Sequence, residues 1–151
     1  MKRLLKSPTV NAVCISVLTA FYAMIFFATS KSIDFENNLY YKEPTSFWSG
    51  WSSFLAAGRQ LHIASFLIAV TILVVVMLVV RRKPYDEYHT SILTHCLIAA
   101  AVLTMIAIAI FYLLILNNPT GIIEKFTLFI VIHWSTVVFS NLTYVVLCRW
   151  R

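Results

Sequence analysis

The chain has only three glycines and four prolines in 151 residues, and charged side chains make up 12% of it. Gly50, Gly58 and Gly121 all fall in or beside expected loops, so the sequence gives no sign of the broken intramembrane helices that secondary transporters use. Its four apolar runs contain no Asp, Glu, Lys or Arg. Transporters, proton pumps and ion relays usually carry such a charge, so a transporter acting alone is disfavoured. The three cysteines, Cys14, Cys96 and Cys148, form no CxxC and no even-numbered set. A disulfide scaffold has no support.

Hydrophobic residues fill 60% of the sequence, and mean hydropathy is +0.83. A soluble fold of this length could not hide so many apolar side chains, which points to lipid as their solvent. The net charge of +6 could suggest a nucleic-acid partner, but the basic residues sit in short clusters at the ends of apolar runs. That pattern sets membrane topology and leaves no exposed basic face for phosphate, so no nucleic acid is expected.

Lys2, Arg3 and Lys6 precede a first run over about 10–29. A basic start and the small residues Ala28, Thr29 and Ser30 also fit a secretory signal. The run exceeds the roughly 7 to 15 residues of a signal core, which favours a retained anchor. Asn11, Tyr22 and Thr29 share one side of this helix. A polar and aromatic outer loop follows over 30–60, interrupted by Pro44, in which Trp48 and Trp51 are expected to anchor a short helix at the membrane interface. The second run, 61–80, ends at Arg81-Arg82-Lys83-Pro84. Gly58, His62, Ser65 and Ala69 lie on one side of it as the expected packing seam.

The short connection Tyr85 to His89 makes the second and third runs antiparallel neighbours, with Thr90 or Ser91 capping a third helix over 91–116. Cys96, Ala100, Thr104 and Ala107 fall close to one line on it. A turn built from Asn117, Asn118, Pro119 and Gly121 leads to the fourth run, 126–147. Lys and Arg number eight at the two chain ends and the Arg81 loop against four in the other loops, which places both termini in the cytoplasm. The expected fold is all-α: one domain over 1–151, an integral bundle of four antiparallel transmembrane helices with a short outer-surface helix between the first two.

The fourth run alone carries a polar stripe. His133, Thr136, Ser140 and Tyr144 follow at spacings of three, four and four, with Thr143 beside them, so this face should meet protein and not lipid. His133 would sit about 12 Å below the outer boundary. It could ligate haem or metal or pass a proton, or it could bond a neighbouring helix as a neutral side chain. A bis-histidine haem needs a partner at matching depth, and His62 and His95 lie near opposite boundaries. Cys14, Cys96, Cys148 and His95 gather toward the cytoplasmic end and have the ligand types for zinc or copper, although reduced thiols are the simpler reading. Cys148 beside Arg149 is also in position for acylation. No nucleophile-and-base pair stands at a spacing that fixes geometry.

The outline of four spans with a long first outer loop resembles the tetraspan plan of claudin-type proteins, but this loop holds no cysteine pair and the resemblance ends at outline. The function expected is that of a small non-catalytic membrane protein acting by association, as a subunit of a larger assembly or as a homo-oligomer embedded in lipid. The alternatives are a haem- or metal-binding redox subunit and an oligomeric channel lined by the His133 face. No specific cofactor follows from the residues.

Overall fold

A computed structural model describes residues 7–39, 46–80, 86–118 and 121–149, and these are overwhelmingly helical. The helices are α1 (Pro8–Leu39), α2 (Ser46–Phe54), α3 (Gln60–Val80), α4 (Glu87–Asn117) and α5 (Ile122–Arg149). Four stretches, Pro8–Ile33, Phe47–Val80, Glu87–Asn117 and Ile122–Cys148, are long and apolar enough to cross a membrane. They form a bundle in which α5 touches α1, α3 and α4.

Hydroxyl residues inside these helices mostly bond back to their own backbone. Thr29 donates to Ile25 and Phe26, Ser30 to Phe26, Thr71 to Leu67, Thr127 to Ile123 and Thr136 to Ile132. Such bonds satisfy the side chain without a partner helix, so these residues fit apolar helices at little cost. Large apolar side chains such as Val17, Met24, Ile72, Val76, Met105 and Leu113 point outward instead.

The core has two clusters. At one end Ala12 and Ile15 of α1 meet Val74 and Leu78 of α3, Leu93 of α4, and Tyr144 and Val145 of α5. Toward the other end Phe26 and Ile33 meet Leu55, Ala64 and Leu67, together with Ile130, Trp134 and Val138 of α5. Between these levels the hydroxyls of Thr19 and Thr71 lie 3.2 Å apart, tying α1 to α3.

Several expectations from sequence need correction. The first helix does not stop at 29 but runs to Leu39. Lys31, Asp34 and Glu36 end its apolarity, and none of them breaks a helix. The loop 30–60 is therefore largely helical, with only 40–45 outside the described residues. The cap of α4 is Asp86 and not Thr90 or Ser91: its carboxylate accepts from the His89 amide at 2.9 Å, which starts the helix at Glu87. Thr90 and Ser91 lie within the helix.

α2 and α3 are joined by a π-helical turn, Leu55–Arg59, in which Gly58 has φ 75. A Cβ at Gly58 would meet nothing within 4 Å, so backbone conformation and not space calls for glycine. The turn places α2 against α5 and lets the Leu55 side chain enter the core.

The seam expected at Gly58, His62, Ser65 and Ala69 does not pack inside the chain. His62, Ser65 and Ala69 are exposed, and Ser65 bonds only to the His62 carbonyl of its own helix. α3 packs through Ala64, Leu67, Thr71, Val74 and Leu78. That face, Ala64 included, meets α1 and α5, while Ser65 and Ala69 turn outward.

Candidate functional site

Apart from the Thr19–Thr71 contact of α1 with α3, the polar side-chain contacts between the described long helices run through α5. Its buried side is Thr127, Ile130, Trp134, Val138, Asn141 and Val145, at spacings of three, four, four, three and four. The stripe of His133, Thr136 and Ser140 lies about a third of a turn away, toward α4 and the edge of α1. The four stripe residues consequently meet different partners.

His133 is half-buried, and its Nδ1 lies 3.0 Å from the Tyr22 hydroxyl of α1. The two rings meet edge to face with centroids 5.2 Å apart, and the Phe129 ring lies tilted against His133 with centroids 5.9 Å apart. Ser140 donates to the Cys96 carbonyl of α4 at 2.7 Å. Thr136 bonds its own helix and lines a groove beside α4. Tyr144 is 1% exposed and packs among Ala12, Ile15, Val74 and Leu78. Thr143 is exposed and bonds Phe139. The stripe thus faces protein at His133, Ser140 and Tyr144 without forming one continuous surface.

Two residues outside the stripe extend the network. Asn141 is buried and donates to the Val137 carbonyl at 2.9 Å, and its Oδ1 accepts from Asn11 of α1 at 3.5 Å. Asn11 and Tyr22, which share a side of α1, thus both reach α5, whereas Thr29 on the same side turns back to its own helix. Asn141 is legible as a polar residue in the fourth run, but it lies off the stripe of His133, Thr136, Ser140 and Tyr144.

At the other end of α5, Glu124 and Lys125 are 2% and 3% exposed although both are charged. A glutamate in the first turn suits the positive end of the helix dipole. The Lys125 ammonium bonds the Asn118 carbonyl and lies 3.5 Å from that of Leu114, so it serves the open carbonyls at the end of α4. Trp48 stands over it, with the ammonium 5.7 Å from the ring centroid. Trp51 stacks on Phe54 at 5.8 Å and packs against the core cluster of Phe26 and Trp134. Trp48 and Trp51 thus both lean on the bundle.

Among the described residues no three His, Cys, Asp or Glu side chains come close enough to share a metal ion. Cys96 and Cys148 are half-buried beside the same core cluster, but Cys14 is exposed. His95 is also exposed and turns its Nδ1 to the Ser91 carbonyl 2.7 Å away. The suggested set of Cys14, Cys96, Cys148 and His95 is therefore not assembled, because its members lie on different helix faces. The chain matches no protein family, no curated protein and no solved structure.

Proposed function

We propose that the chain is an integral membrane protein of four antiparallel spans with both termini cytoplasmic, acting by association with a second copy or with a larger membrane assembly. The observation that carries this reading is the division of labour between polar and apolar faces. Tyr22, His133, Asn11, Asn141, Thr19, Thr71 and Ser140 are engaged in bonds that hold the bundle itself together. α4, by contrast, is held on one side and turns Ala101, Met105, Tyr112 and Leu116 outward. In lipid, helices associate through packing and scattered polar bonds and not through hydrophobic burial, so an apolar outward face is compatible with both lipid and a partner helix.

The orientation rests on the distribution of Lys and Arg, eight against four. His133 acts here as a structural side chain bonded to Tyr22. Native mass spectrometry of the protein gently extracted from its own membrane tests the association. A complex larger than the 17.2 kDa chain is expected, and a single chain at every gentle extraction condition would refute it.

A further inference from the structure

The core cluster around Phe26 and Trp134 has polar side chains threaded through it. Ser30 stands between Phe26 and Ile33, Gln60 between Leu55 and Ala64, and Thr127 between Ile123 and Ile130, and each of these flanking residues belongs to the cluster or packs against it. Neighbours one turn away on both sides set all three on the cluster's side of their helices. Trp134 is itself a member, and Trp51 packs against it. Ser30 donates to the Phe26 carbonyl at 2.7 Å and Thr127 to that of Ile123 at 2.8 Å, which uses their protons and leaves their oxygens able to accept. The indole N–H groups of Trp51 and Trp134 and the Oε1 of Gln60 are buried and meet no hydrogen-bond partner among the described residues. Native interiors rarely leave such atoms unmatched, because each one is costly. Donors and acceptors stand in excess within one cluster, so a ligand that serves both must accept and donate. A cation would face two N–H groups and an anion would face oxygen lone pairs, whereas water meets both needs.

We infer that this end of the bundle holds internal water, hydrogen-bonded to the Trp51 and Trp134 indoles and to the Gln60 side-chain carbonyl. Trp134 lies ten residues along α5 from Glu124, about 15 Å by helix rise, so the water reaches well into the bundle. The Gly58 turn brings Trp51 to the cluster and makes α2 part of the site. The inference is independent of association and of any partner.

The test uses the full chain in deuterated detergent micelles, its indoles labelled with nitrogen-15 and assigned by replacing one tryptophan at a time with phenylalanine. Rotating-frame Overhauser spectra separate dipolar contact with water from chemical exchange by sign. Dipolar peaks to water are expected at the indole protons of both Trp51 and Trp134. Gln60→Leu, which withdraws an acceptor, should weaken the peak of one or both by at least about two-fold. Ser65→Ala, on the exposed side of α3, should leave both as in wild type. Absence of a water contact at either indole, or peaks unaltered by Gln60→Leu, would overturn the proposal. Should Gln60→Leu fail to fold, the side-chain amide of Gln60 in the wild type takes its place. A dipolar peak from that amide to water is expected, and none would overturn the site.

Discussion

α4 and α5 are nearly equal in length, 31 and 28 residues, and both are apolar enough to cross a membrane, yet they occupy opposite situations. Among the described residues of α4 only Leu93 is buried. α5 buries Trp134, Tyr144, Val138, Thr127 and Asn141, and even Glu124 and Lys125. The more apolar helix is the outer one, and the helix with polar residues is the inner one. In water the reverse holds for polarity, because burial there removes apolar surface from a polar solvent. Where the solvent is lipid, polar side chains need protein partners and apolar ones do not.

The largest way to break this contrast is at Trp134, which is fully buried. Trp134→Ala should cost about 3–5 kcal/mol by analogy with large core truncations, read as reversible unfolding in mixed micelles, while Met105→Ala on the outside of α4 should stay within about 0.5 kcal/mol. Equal losses at the two sites would end the distinction between inner and outer helix. The next effect falls on insertion. Val102→Arg, on the exposed side of α4, should raise the apparent insertion free energy of that segment by about 2.5–3.5 kcal/mol, measured as the inserted fraction in microsomes.

A smaller effect tests how the Gly58 turn holds α2 against α5. Gly58→Ala forces an alanine into a positive-φ position and should destabilise by about 1–2 kcal/mol. It should also shift Trp fluorescence as α2 leaves α5, and an unchanged spectrum with unchanged stability would show the turn to be unimportant. The smallest effect is the hydrogen bond itself. A double-mutant cycle with Tyr22→Phe and His133→Leu should return a coupling of about 0.6 kcal/mol, at most about 1.7. A coupling of zero would mean that the 3.0 Å contact contributes packing alone.

Much of this is legible in the sequence. Four runs of sufficient length become four long apolar helices, since an apolar stretch of that length satisfies its own backbone as a helix. The line of Cys96, Ala100, Thr104 and Ala107 becomes the half-buried side of α4, because small residues let its backbone approach α5. Other features were hidden for physical reasons. Nothing in the fall of hydropathy after Ala28 marks where α1 ends, as helix continuation depends on propensity and not on polarity. Small residues at Gly58, Ser65 and Ala69 suggest close contact, whereas α3 packs through Ala64, Leu67, Thr71, Val74 and Leu78, a face that small size alone does not mark. Ile130, Trp134 and Val138 offer no polar contrast against an apolar background, so hydropathy does not single out these residues as buried. The burial of Lys125 depends on Asn118 and Trp48, which no local pattern links to it.

The central claim is that α5 holds the bundle from within while the outward face of α4 meets a partner. A photo-cross-linking scan in the native membrane tests it most directly, with a benzophenone side chain placed in turn at Ile98, Ala101, Val102, Met105, Ala109 and Tyr112 of α4 and at Trp134 and Val138 of α5. The account predicts protein adducts that recur with helical period on α4 and strongest at Ala101, Met105 and Tyr112, with none between chains from the two α5 positions. Adducts to lipid alone along the whole of α4, or adducts between chains from Trp134, would contradict it.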